Sequence, residues 1–355
     1  MPNDYRRLIQ TMRILHVIAD DATPCEEQCF LNTLLSFKTI GIDQKAIIKT
    51  ESHLASTLKE AGISFSEQKF GGMFDLRTKT GIQKIIEDMA PPIVQAYTAA
   101  SIRLCDKLPA KTALVGLFAN NDPQLLASCH GVLLTGIPKK EETDNSADEK
   151  TFPVHPLIPY DENNALPLSR SDHNTPETAF LIGSIEDSLG ETKIDVIFQA
   201  LREIPKIHYW IAGKPNTKAS IKDMALKKAV HDRVHFIPLN DIPSDIAFLK
   251  ALDLLVIPEQ NKNMDDVIFK SWLVGTAVLN GKISPQSSID HEKTGWKANG
   301  TNVLDIRAAL TLLQDNHGIR KALARNGKNL VNTPNRQETA LRAYIESYKK
   351  ILASL

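Results

Sequence analysis

The residues best placed to do chemistry lie between Asp253 and Gly281, DLLVIPEQNKNMDDVIFKSWLVGTAVLNG. Leu254 to Ile257 is a continuous apolar run ending at Pro258, the pattern of a strand buried on both faces. Val267, Ile268, Ser271, Trp272 and Val274 then recur at helical spacing up to Gly275, and Ala277 to Leu279 opens another strand. Ligands of an open parallel sheet bind outside the carboxyl ends of its strands, so Glu259 to Asp266 is expected to face a ligand crevice. Lys262 stands just before a helix expected to begin near Met264, where the helix dipole and free amides favour an anion. Lys270 is two turns further on. The two lysines are expected either to hold an anionic ligand, a phosphate or a nucleotide, or to be solvated on an exposed helix face.

Other chemistries leave no trace. No Gly-x-Gly-x-x-Gly follows a strand, and there is no Gly-x4-Gly-Lys-Ser/Thr, His-Glu-x2-His or Gly-x-Ser-x-Gly. The 10 histidines are scattered, and His16, inside a strand, reads as a structural histidine. Cys25, Cys29, Cys105 and Cys129 have no metal-ligand spacing and read as reduced, partly buried thiols. Neither a metal nor a bound cofactor is therefore expected. The 42 basic and 42 acidic residues cancel, without the basic field of a nucleic-acid binder. No apolar run reaches the ~18 residues of a membrane span, and the first residues, MPNDYRRLIQTMR, carry no signal-peptide core. A cytoplasmic location is expected.

The elements that must position these residues alternate strand and helix along the chain, which argues for parallel sheets with crossover helices. After a lead-in over 1–12, a first domain is expected over 13–165. It opens with the strand RILHVIA and a helix from Glu26 to Ile40 that is closed by Gly41. It contains a flexible, solvated loop at 139–150, KKEETDNSADEK. A polar, proline-bearing linker is placed at 166–178. A second domain over 179–335 carries the strands AFLIGSI, HYWIAGK, RVHFIPL and LLVI. A last helix over 336–355 carries Leu341, Tyr344, Ile345, Tyr348 and Ile351 at helical spacing.

The order and spacing of AFLIGSI, IDVIFQAL, YWIAGK, RVHFIPL, DLLVIP and HEKTGW resemble the GT-B glycosyltransferases of the family-4, or group 1, type. The resemblance implies two Rossmann-like domains facing across a cleft, with the C-terminal helix crossing back to the N-terminal domain. It places donor-binding positions at Gly183, Ser184, Lys193, Gly213, Lys214, Lys262, Asn263, Met264, Asp265 and Lys270, and acceptor-side positions at Gln95 and Tyr97. For Gln95 and Tyr97 the residues alone also allow a plainer role, capping the next helix. Several of these positions depart from the family pattern. Lys262 and Lys270 replace the two glutamates of Glu-x7-Glu, and Asn263 to Asp265 replace its Gly-Phe-Gly-like turn. Ser184 stands where an arginine is usual. In the first domain, Pro24 to Glu27 replace a Gly-Gly-Ala-Glu turn.

The implied activity is retaining transfer of a sugar from a nucleotide-sugar donor to a saccharide or lipid-linked acceptor, in bacterial lipopolysaccharide or surface polysaccharide synthesis. Peripheral contact with the inner face of the membrane would accompany a lipid-linked acceptor. The motif replacements leave a second expectation, a catalytically degenerate GT-B protein acting as a binding subunit with a protein partner.

Overall fold

Apolar runs bounded by turn residues make the strands here, and residues repeating every three or four positions make the helices that cover them. The computed structural model describes residues 9, 12–19, 21–70, 76–105, 107–118, 127–135, 149–159, 166–186, 191–238, 245–258, 264–281, 288–332 and 336–355. The chain divides into two compact units, 1–159 with 335–355, and 160–334.

The first unit holds a seven-stranded sheet, all of whose pairings are parallel. Its strands are β1 (Arg13–Val17), β2 (Asp43–Lys49), β3 (Ser64–Gln68), β4 (Ile93–Ala96), β5 (Ala113–Phe118), β6 (Gly131–Thr135) and β7 (Thr151–Val154), in the order β3-β2-β1-β4-β5-β6-β7. Crossovers are made by α1 (Pro24–Thr39), α2 (Leu54–Glu60), α3 (Leu76–Met89) and α4 (Ala99–Leu104). The chain's last helix, α11 (Arg336–Ala353), also belongs to this unit. It buries Leu341, Tyr344, Ile345, Tyr348 and Ile351, the five residues its spacing singles out, in the core beneath α1. Phe37 of α1 meets Tyr344 and Tyr348 edge-on, at 5.9 and 6.1 Å between ring centres.

Two details differ from the sequence reading. β3, SFSEQ, is an edge strand too polar to announce itself. The strand that ends the sheet, Thr151–Val154, begins directly after the stretch 139–150 read as a loop. The loop placed at 139–150 falls on residues that, up to 148, lie outside the described ones.

The second unit holds a six-stranded parallel sheet of β8 (Phe180–Ile185), β9 (Ile207–Gly213), β10 (Val234–Pro238), β11 (Leu254–Ile257), β12 (Ala277–Asn280) and β13 (Trp296–Lys297). Its order is β10-β9-β8-β11-β12-β13. The helices are α5 (Glu191–Arg202), α6 (Lys218–Lys227), α7 (Asp245–Ala251), α8 (Met264–Val274), α9 (Val303–Asp315) and α10 (His317–Val331). The strand order reverses direction between β8 and β11. In a doubly wound sheet the crevice at the carboxyl ends of two such strands is where ligands bind.

The stretch 166–178, expected as a linker, is instead part of the second unit. Its Arg170 donates to the carbonyls of Ala251, Glu177 and Ala179 and pairs with Asp253 at 3.1 Å. Its Thr175 accepts the indole N–H of Trp210 at 2.7 Å. A guanidinium with five donors can tie a polar segment to a sheet in this way, because each donor finds a backbone or carboxylate oxygen.

Candidate functional site at the carboxyl edge of the second sheet

The chain beside the reversal point is built for close backbone packing. Glu186 directly follows β8, and its carboxylate accepts the backbone N–H of Lys214, directly after β9, at 2.6 Å. A side chain on Gly213 would strike that carboxylate at 2.4 Å, so the glycine is required by the Glu186 contact. Pro258 directly follows β11, and a Cβ on Gly281 or on Gly300 would lie 2.1 Å from its carbonyl oxygen. Gly281 N–H donates to Ile257 and Gly300 N–H to Gly281, at 2.7 and 2.8 Å. The two glycines let three backbone segments meet at this edge.

α8 follows β11 and is buried on all sides. Met264, Val267, Ile268, Phe269, Ser271, Trp272 and Leu273 are all buried, and the Trp272 ring fills the space that Gly327 of α10 leaves open. Lys270 therefore has no solvent face to occupy and is 0% exposed. Its ammonium donates to Asp245 at 2.7 Å, in the first turn of α7, and lies 2.5 Å from Asp266, one turn back on its own helix. Both aspartates are 6% exposed. The expectation of a solvated Lys270 is corrected by this burial. Its role as an anion-holding cation is corrected too, because its ammonium is already held by two carboxylates.

The other expected donor positions fall as follows. Gly183 is mid-strand in β8, where a Cβ would meet the Leu252 side chain at 2.6 Å, so it makes room for packing and not for a ligand. Ser184 is 0% exposed; its hydroxyl donates to the Val256 carbonyl at 2.6 Å and accepts from Tyr209 at 2.8 Å. It ties β8 to β11 and β9 at the reversal. Met264 is buried at the start of α8. Lys193 lies in the first turn of α5, and Asp265 in that of α8. Lys214, half-buried, directly follows β9. Lys262 and Asn263 lie outside the described residues.

Gln95 and Tyr97, expected on the acceptor side, sit in a closed neutral seam of the first unit. Tyr348 of α11 donates to the Gln95 carbonyl oxygen, Gln95 donates to the Tyr97 hydroxyl at 2.9 Å, and that hydroxyl lies 2.9 Å from His16 Nδ1. All four are at most 1% exposed. Burial pulls the His16 imidazole down to about 3, so it is neutral, and pushes both tyrosines well above their usual value. Neither residue caps α4; Thr98 does.

The replaced glycine turn of the first unit is the first turn of α1. The Thr23 side chain accepts Glu26 N–H and Glu26 returns to Thr23 N–H at 2.8 Å, a capping box with Pro24 at the helix start. The four cysteines are free thiols, three of them buried, and burial pushes Cys129 up to about 12. Among the described residues no cluster suits a metal ion, and no helix is long and apolar enough to cross a membrane.

Sequence reasoning missed Glu186 and Asp245. Both are single acids with no spacing signal, and only the parallel register brings them to the same edge of the sheet.

Residues 167–330 match the family described as glycosyl transferases group 1. The lipopolysaccharide core biosynthesis glycosyltransferase LpsD of Rhizobium meliloti is 21% identical over 190 residues, 53% of this chain and 55% of that protein. The O-antigen biosynthesis glycosyltransferase WclY of Escherichia coli is 27% identical over 114 residues, 32% of each. The chain thus spans about half or less of the length of these curated relatives. Among solved structures, Anabaena HepE in complex with UDP and glucose superposes with a TM-score of 0.72 at 14% identity, covering 97% of this chain and 100% of that one. A glycosyltransferase from Rickettsia africae gives 0.70 at 14%, covering 96% and 98%. Residues 167–330 thus match the glycosyl transferases group 1 family, in a chain with the GT-B fold of the solved glycosyltransferases it superposes on.

Proposed function

We propose that the chain transfers a sugar from a nucleotide-sugar donor to a saccharide or lipid-linked acceptor, in lipopolysaccharide or other bacterial surface polysaccharide synthesis. The observation that carries this reading is that the group 1 match contains the whole carboxyl edge at the β8–β11 reversal, from Glu186 through Lys270 to Gly300. The names of the curated relatives support the pathway class, and the UDP and glucose held by HepE support the donor class.

In this reading the bond between the sugar and the diphosphate breaks, the acceptor oxygen forms the new bond, and the acceptor proton is lost. The configuration at the sugar carbon is retained. The charge that develops on the leaving diphosphate is the main demand on the protein, met by fixed dipoles and cations and by holding both substrates in line. The first turn of α8 supplies backbone amides and the positive end of a dipole. Lys193, in the first turn of α5, and Lys214, directly after β9, are candidate cations for the diphosphate, and Lys262 is a third by its place in the sequence. Lys270 is not one of them, since its charge is already taken. No metal is assigned to the reaction, so activity should persist in excess EDTA. Peripheral membrane contact would follow from a lipid-linked acceptor.

The reading is tested by thermal-shift titration against UDP, GDP, ADP and their sugar conjugates, followed by a sugar-transfer assay with the donor that binds. A ligand at 100 times its dissociation constant adds about 2.7 kcal/mol of stability. One nucleotide-sugar is expected to raise the melting temperature, and Lys262→Ala to abolish the rise. If no conjugate shifts the melt at millimolar concentration, the transferase reading is wrong. Binding without turnover would favour a non-catalytic GT-B subunit.

A further inference from the structure

A lysine buried between two aspartates is an unusual use of the inside of a helix. Taking three ions out of water is costly, and an apolar cluster of the same shape would hold α7 against α8 at least as well. α8 is otherwise made of the residues such a cluster needs: Val267, Ile268, Phe269, Trp272 and Leu273. What a charged clasp adds is geometry. The 2.7 Å contact to Asp245 fixes the first turn of α7 to the second turn of α8 in one register, where apolar side chains could slide, and the 2.5 Å contact to Asp266 holds the ammonium in place on its own helix.

The helices it joins are not arbitrary. α7 follows β10 and α8 follows β11, so in a parallel sheet the helix starts sit on the carboxyl side, and β11 borders the reversal point. A ligand that uses the α8 amides depends on where that turn points, and a displacement of about 1 Å can cost about 100-fold in a positioned reaction.

We infer that Lys270 is a positioning residue for the donor: through Asp245, with Asp266 holding its ammonium, it sets the α8 N-terminal turn, which borders the nucleotide-sugar site, against the first turn of α7. The inference rests on the transferase reading above. It assigns Lys270 no contact with the donor, and makes the charged clasp, not the mere filling of space, the feature that binding requires.

The test compares wild type, Lys270→Met, and a triple variant, Asp245→Asn with Lys270→Met and Asp266→Asn, which removes every charge and keeps the shape. The probes are UDP-glucose, GDP-mannose and ADP-glucose, with affinity and melting temperature measured for each protein. Lys270→Met should melt much lower, because it takes the ammonium away from two buried carboxylates. The triple variant should regain most of the melting temperature yet bind the preferred donor at least 10-fold more weakly, with KM raised more than kcat is lowered. A triple variant that binds within twofold of wild type would make the clasp purely structural and overturn the inference.

Should the triple variant not fold, wild type alone decides through amide hydrogen exchange. Protection of residues 245–250 and 264–268 should rise on adding the donor, and unchanged protection there overturns the inference. If wild type binds none of the three probes, the transferase reading falls and the inference with it. Donor binding with an indifferent clasp sinks the inference alone.

Discussion

Among the described residues, each unit hides a polar cluster that joins its helices to the rest of the unit, and the two are built differently. The first unit has a neutral seam, His16–Tyr97–Gln95–Tyr348, joined by hydrogen bonds between uncharged groups. The second has an ionic clasp, Asp245–Lys270–Asp266. The seam lies along β1 and β4 and pins α11, so its work is finished once the last helix has docked. The clasp lies where two helices begin on the carboxyl side of a sheet, the side that ligands use. Neutral hydrogen bonds suffice to specify packing. A charged cluster brings a desolvation cost that packing alone does not justify.

The largest expected effect separates the two clusters by stability. Lys270→Met takes the ammonium away from two buried carboxylates and should cost about 3–5 kcal/mol. Tyr348→Phe removes one neutral donor from Gln95 and should cost about 1–3 kcal/mol. Urea denaturation of both variants measures the difference. Equal losses would mean that the clasp is no more strained by the loss of a partner than the seam, and the contrast between them would be gone.

Acid tests the seam from the other side. In the unfolded chain His16 takes up a proton near its ordinary value of 6.5, whereas burial holds it at about 3 in the fold. The fold therefore has its full His16 contribution above pH 6.5 and loses it as pH falls towards 3, at up to about 1.4 kcal/mol per pH unit. Burial also lowers His208 and His235, half-buried in the second unit, so they add slope of the same sign. Denaturation midpoints between pH 7 and 5 should fall in wild type and fall less steeply in His16→Gln. An unchanged slope would place the acid sensitivity elsewhere.

Much of this was legible in the sequence, and the exceptions share a cause. Continuous apolar runs such as LLVI and AFLIGSI, and the spacing from Leu341 to Ile351, announced strands and the last helix because burial and periodicity are local properties. Lys270 misled because α8 is buried on all sides, so its pattern lacks the polar face that tells a surface lysine from a buried one. Asp245 is its partner only through the fold, 25 residues away in the chain. Gly183 and Gly213 were read as places for a ligand to approach, but the atoms that approach them belong to Leu252 and Glu186. A glycine records that something comes close and does not say what. Gln95 and Tyr97 followed the same logic: a polar residue at a strand end can face a ligand or a partner helix, and only α11, more than 250 positions on, decides between them.

The smallest effect sharpens the comparison at the helix starts. α1 begins with Thr23 and Glu26 satisfying each other's backbone, and Pro24 contributes no amide. A helix start that spends its donors on its own cap offers little to a diphosphate, whatever its dipole. α8 begins beside an ionic clasp instead. Thr23→Ala should therefore cost about 1 kcal/mol of stability and leave the affinity for the preferred nucleotide-sugar within twofold of wild type. Changes at the clasp should move affinity even where the melting temperature is restored. If Thr23→Ala weakens donor binding tenfold, the first helix start takes part in donor recognition despite its cap, and the division of labour drawn here between the two units is wrong.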